Sequence, residues 1–238
     1  ISSKIKDNLQ KTLLLCGVFC FAFSCSDHFS LTVKIDSGLI EGYEAEDGTL
    51  KFLGIPYAEP PIKNLRWKPP VKKLSWQGTL KAVDHVKACS QPTNDRTGNN
   101  AFYKLILKES GLDLESLGNV SGFDDVSEQN TSEDCLYLNV IVPKGGAKKK
   151  PVMFWIHGGA GRWGSGHEGN YTSSYLPNQG DVIVVTIQYR LGIFGWLAHP
   201  ELSEESIHGV SGNYGTLDQI LALEWVQNNI SSFGGDPN

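Results

Sequence analysis

The chain has 238 residues, enough for one large domain with a substantial core. Hydrophobic residues make up 40% and charged residues 20%, the balance of a soluble globular protein. A formal charge of −5 gives no basis for a nucleic-acid or acidic-membrane partner, and the sequence holds no internal repeat and no CxxC or HExxH metal spacing.

The first residue is Ile1, not Met. Lys4, Lys6 and Lys11 precede an uncharged apolar core from Leu13 to Phe23, short of the roughly 20 residues that a membrane span needs. Ala22 and Ser24 form a small-x-small cleavage pattern, so residues 1–25 read as a secretory signal; a buried N-terminal helix is the alternative. The stretch "AFSC" is a loose match to a bacterial lipoprotein box, in which Cys25 would carry a lipid anchor. Cleavage after Ser26 would instead leave Cys89 and Cys135 as one pair. Both routes place the protein outside the cytoplasm, secreted or in the cell envelope, where disulfides persist.

"LTVKIDSGLIEGYE" alternates apolar and polar residues around Ser37-Gly38, a hairpin pattern. "LKFLGIPYAEPP" predicts a short strand entering a proline-rich turn. Gln91 to Thr131 is polar, with one helical stretch near Ala101 to Ser110, and "LYLNVIVP" predicts a strand ending at Pro143. The run Lys148-Lys149-Lys150 reads as a solvated turn. "VMFWI" (152–156) and "VIVVTI" (182–187) are unbroken apolar runs, the habit of parallel strands buried on both faces. In "TLDQILALEWVQNNI", Thr216 and Gln219 have capping-box spacing. Leu217, Ile220, Leu221, Trp225, Val226 and Ile230 make a helical stripe. Strand, glycine loop, strand, helix predicts an α/β sheet with helices on both faces.

"WIHGGAGRWGSG" (155–166) leaves directly from a buried strand. Glycines there free the backbone to present N–H groups into a pocket, where they can stabilise an oxyanion; a flexible surface loop is the plain alternative.

Taken in order, "FLGIPYAEPP" with "LRW", "SEDCLYLNV", "WIHGGA", "VVTIQYRLGIFGWL", "GNYGTLDQILALEWVQNNI" and "FGGDPN" resemble the type B carboxylesterases, the cholinesterase-like branch of the α/β-hydrolase fold. The resemblance runs from about Leu31 to Asn238. It implies that residues 31–238 are the N-terminal part of such a domain. Small antiparallel strands would lead into a mostly parallel central sheet with flanking helices, left incomplete. In the family "FGGDPN" precedes a strand and a G-x-S-x-G elbow carrying the nucleophilic Ser, with the acid and His later still. No G-x-S-x-G occurs here, so the Ser-His-acid triad is expected to lie beyond Asn238 and the chain alone is expected to be inactive.

The resemblance carries over residue by residue. Gly159 and Ala160 would donate two oxyanion-hole N–H groups, and His157 would support the loop by hydrogen bonding. Ala160 stands where many members have a third Gly, and Gly161-Arg162 replaces an aromatic residue, which changes the pocket. Cys89 and Cys135 would form the family's first disulfide, worth about 4 kcal/mol at most. Arg66 with Glu133 and Arg190 with Asp218 would form two structural ion pairs. Cholinesterases bind a quaternary ammonium through a Trp in this disulfide loop; ten residues before Cys135 stands Asp125, which disfavours choline esters. N-x-S/T sequons occur at Asn119, Asn130, Asn170 and Asn229.

The function implied is a serine carboxylesterase acting on a small-molecule ester through an acyl-enzyme, with no metal or organic cofactor. The competing class is a non-catalytic adhesion or binding relative that kept the fold. Substrate and oligomeric state are not legible in this stretch.

Overall fold

A computed structural model describes residues 30–92, 131–146 and 148–238. The signal segment with Cys25, the helix expected at Ala101 to Ser110 and the sequon asparagines Asn119 and Asn130 lie outside these residues.

The first hairpin forms as its alternation requires. Strands β1 (Thr32–Ile35) and β2 (Gly38–Glu41) pair antiparallel, with Ile35 opposite Gly38. Val33, Ile35 and Ile40 point inward and are buried. Gly38 packs beneath Trp76: a Cβ there would lie 2.6 Å from the indole Nε1. Strand β2 also pairs in parallel with β5 (Thr79–Lys81), closing a three-stranded sheet.

The main sheet has five strands among the described residues. They are β3 (Tyr43–Glu44), β4 (Leu50–Pro56), β8 (Tyr137–Val142), β9 (Val152–Ile156) and β10 (Ile183–Ile187), in the spatial order β3-β4-β8-β10-β9. The pairings from β3 to β10 are antiparallel, and β10 with β9 is parallel. Two short strands, β6 (Ala88–Cys89) and β7 (Thr131–Ser132), pair beside it.

The two apolar runs differ in burial. All five residues of β10 are buried between β8 and β9, as expected. Strand β9 is not buried on both faces: Met153, Trp155 and Ile156 are 49%, 43% and 39% exposed. The reason is position, since β9 is the edge of the sheet and only β10 pairs with it among the described residues.

Among the described residues, four α-helices follow or flank the sheet: α1 (Tyr175–Gly180), α2 (Gly192–Trp196), α3 (Pro200–Glu204) and α4 (Tyr214–Asn229). Helix α4 starts two residues before Thr216, and Asn213 at its N-cap makes no side-chain capping bond. Tertiary contact replaces the expected capping box. Gly215 lies against the Arg190 carbonyl, which a Cβ would approach to 2.6 Å, and Asp218 binds Arg190. Ala222, Trp225, Val226 and Ile230 are buried, whereas Ile220 falls off the stripe and faces outward. Phe233, just past the helix, meets Phe52 edge-to-face with ring centroids 5.0 Å apart.

The chain then turns through Gly234, at φ 82°, and returns to the sheet. Lys150 N–H donates to the Gly234 carbonyl at 3.0 Å, and Asp236 N–H donates to the Lys150 carbonyl at 2.9 Å. Lys150 and Gly235 thus form a parallel bridge beside β9. Lys148 and Lys149 are exposed as expected, but Lys150 is a structural residue, and its ammonium meets Asp181. Among the described residues no helix is long and apolar enough to cross a membrane.

Candidate functional site

The site grows from the end of β9. After Ile156 the chain enters the core at His157, which is buried and stacked on Tyr189 with ring centroids 4.4 Å apart. The Tyr189 hydroxyl donates to the His157 carbonyl at 2.7 Å, and His157 Nδ1 lies 2.9 Å from the Gly158 carbonyl oxygen. His157 is therefore built into the loop as a support.

Gly159, Ala160 and Gly161 all adopt positive φ, at 116°, 53° and 67°. Gly159 has no alternative: a Cβ there would sit 1.9 Å from the Trp163 carbonyl oxygen. Ala160 holds a left-handed conformation that costs an L-residue roughly 1–2 kcal/mol. The turn is closed by Arg162 and Trp163 N–H groups donating to the Gly159 carbonyl at 2.9 and 3.2 Å. The Gly161 carbonyl is held twice, by Gly192 N–H at 2.7 Å and Trp196 Nε1–H at 2.8 Å. Among the described residues the N–H groups of Gly159 and Ala160 donate to no backbone acceptor. Two consecutive donors on such a turn can form an anion-binding concavity.

The outgoing stem is fixed by buried amides. Gly166 N–H donates to Gln188 Oε1 at 3.1 Å, and Gln188 Nε2 reaches Ser165 Oγ at 3.2 Å. The Gly166 carbonyl accepts from Thr186 Oγ1 at 2.7 Å. Asn139, buried in β8, accepts from Gly54 N–H at the bulge of β4 and donates to Thr186 Oγ1 and His167 Nδ1. Burial holds His167 far below the ordinary histidine range, at about 3, with His85 and His157 adding repulsion. His167 thus stays neutral at physiological pH and cannot act as a general base near pH 7.

The residues expected in pairs are brought together. Cys89 and Cys135 are bonded, at a sequence separation of 46. Arg66 Nη2 donates to Glu133 Oε1 at 2.6 Å on the surface. Arg190 is buried at the end of the β10 segment and grips Asp218 through Nη2 at 2.7 Å and Nε at 2.8 Å. Its Nη1 donates to the Lys68 carbonyl, so one guanidinium ties three segments. The sequon at Asn229 is a structural residue: its side chain is buried, accepting from Asp36 N–H and donating to the Trp225 carbonyl. No group of His, Cys, Asp and Glu among the described residues could hold a metal ion.

Sequence reading did not single out Gln91, Asn139, Gln188 or Trp196. Asn139 and Gln188 carried a signal, as amides inside or just after apolar runs, where a polar side chain must find a buried partner.

Residues 30–238 match the carboxylesterase family. The chain belongs to that family. It is 43% identical to the fumonisin B1 esterase of Sphingopyxis macrogoltabida over 214 residues, which are 90% of this chain and 34% of that protein. It is 42% identical to the para-nitrobenzyl esterase of Bacillus subtilis, over 87% of this chain and 36% of that protein. A solved structure of a PNB esterase superposes with a TM-score of 0.69 at 40% identity, covering 87% of this chain and 36% of the other. The α/β-hydrolase fold of these carboxylesterases is therefore the fold of this chain. The chain spans about a third of the length of the relatives that it matches.

Proposed function

We propose that the protein to which this chain belongs is a serine carboxylesterase, and that this stretch supplies its oxyanion hole. The N–H pair of Gly159 and Ala160, which donates to no backbone acceptor among the described residues, carries the reading. A seryl oxygen attacks the ester carbonyl. The carbonyl oxygen gains negative charge, which the two N–H groups stabilise by roughly 3 kcal/mol each. Collapse releases the alcohol, and water then releases the acid from the acyl-enzyme. The nucleophile belongs to the residues after Asn238. The isolated Lys150–Gly235 bridge supports that placement, because it sets the chain parallel to β9 on its open edge. A strand continued in that register reaches the glycine loop after as many residues as separate Lys150 from Ile156. A binding relative has no use for a strained turn whose two donors meet no backbone acceptor among the described residues, which favours hydrolysis over adhesion.

We also read residues 1–25 as an export signal and the location as secreted or cell-envelope, with Cys25 as the acylated residue under lipoprotein processing. The Cys89–Cys135 disulfide supports an oxidising compartment.

The test is turnover of p-nitrophenyl acetate and butyrate by the full-length protein. A pre-steady-state burst and loss of activity on phosphonylation are expected, and no turnover by residues 1–238 alone. A folded full-length protein without turnover on any ester would overturn the proposal.

A further inference from the structure

We infer that Gln91 is a positioning residue for the oxyanion hole, clamping Gly164 so that the Gly159 and Ala160 N–H groups stay aimed at one point. This rests on the esterase reading above. Gln91 Oε1 accepts from Gly164 N–H at 2.9 Å, and Gln91 Nε2 donates to the Gly164 carbonyl at 2.9 Å. The same Nε2 donates to the Cys89 carbonyl at 3.0 Å. One side-chain amide therefore holds both backbone groups of a single loop residue, as a neighbouring strand would.

Gly164 is where the two stems of the loop meet. A Cβ on Gly164 would lie 2.2 Å from His157 Nδ1 and 2.5 Å from the Gly158 carbonyl oxygen. Trp163 is wedged beneath Gly159: its carbonyl, in the peptide it shares with Gly164, is the group that excludes a side chain there, and its own N–H, in the peptide before, donates to the Gly159 carbonyl. A displacement of Gly164 moves the Trp163–Gly164 peptide, and that peptide is the floor under the first oxyanion donor. The bonds from Gly192 and Trp196 secure Gly161, and those from Gln188 and Thr186 secure Gly166. Gln91 holds the loop residue between them.

The clamp is itself anchored. Cys89 is bonded to Cys135 and pairs with Ser132, and Ser90 N–H donates to the Ser132 carbonyl at 2.9 Å. The disulfide thus acts on the oxyanion hole through one amide. A small misplacement of preorganised donors is costly, because their stabilisation is realised only in the transition state.

The test uses the full-length protein with Gln91→Met, which keeps length and volume but loses the amide bonds, and Gln91→Ala as a second variant. Steady-state kinetics on p-nitrophenyl esters are combined with inhibition by a trifluoromethyl ketone, which forms a tetrahedral adduct, and by the matching methyl ketone, which binds as a ground-state analogue. In both variants kcat is expected to fall about ten- to a hundredfold with KM within threefold. Trifluoromethyl ketone affinity should fall in parallel, and methyl ketone affinity should hold. Variants that melt at a lower temperature but keep kcat and the ratio of ketone affinities would overturn the inference, leaving Gln91 a structural residue only. Absence of turnover in the wild type would instead remove the esterase reading, and the positioning role with it.

Discussion

At the scale of single residues, the proposed oxyanion turn would work through backbone atoms, so its side chains would matter mainly by what they exclude. Gly159→Ala forces a methyl into the Trp163 carbonyl and should cost kcat about a hundredfold or more in the full-length enzyme, measured on p-nitrophenyl esters with KM little changed. His167 gives a pH signature. Its folded pKa lies at about 3, below the unfolded value, so the native state resists a proton that the unfolded chain accepts. Its contribution to stability is present above about pH 6.5 and is lost as pH falls from there towards 3, with a slope of up to about 1.4 kcal/mol per pH unit. Urea unfolding of wild type and His167→Gln between pH 7 and 4 should show their stability difference changing along that slope; parallel pH profiles would contradict it. The cysteine pair and the two charged pairs were legible as letters through the family resemblance, which also named Gly159 and Ala160 as the expected donors. Gln91 was not, because its partner is the backbone of Gly164, far along the chain, and no local pattern announces such a bond.

At the scale of elements, alternation, apolar runs and helical spacing located β1, β2, β4, β8, β9, β10 and α4 but did not rank their exposure. "VMFWI" and "VIVVTI" read alike, yet one is the centre of the sheet and the other its edge; strand order is a tertiary fact. Thr216 and Gln219 had the spacing of a cap, but the helix begins two residues earlier, where Gly215 lies against the Arg190 carbonyl and Asp218 binds the Arg190 guanidinium. That contact also sets stability. Arg190 and Asp218 join the end of the β10 segment to α4 in a buried, bidentate pair. Asp218→Ala strands a buried guanidinium and should destabilise the full-length protein by about 3–5 kcal/mol in urea unfolding. A loss no larger than that of an exposed ion pair would contradict the assignment.

At the scale of the whole molecule, the described residues leave one side of the sheet open along β9, with Met153, Trp155 and Ile156 partly exposed beside it. An unpaired, apolar edge strand is a template for association. Residues 1–238 expressed alone should therefore bind a hydrophobic dye and aggregate, as followed by light scattering; a soluble monomer that unfolds cooperatively would contradict this. The central claim is that Gly159 and Ala160 supply two N–H donors of an oxyanion hole whose nucleophile arrives on the next strand. The most direct measurement is a crystal structure of the full-length protein after reaction with a phosphonate ester. The account predicts a phosphonylated serine in the segment after Asn238, with its phosphoryl oxygen about 2.7–3.1 Å from the Gly159 and Ala160 nitrogens. A phosphonyl group on a residue of this chain, or a phosphoryl oxygen turned away from that pair, would contradict it.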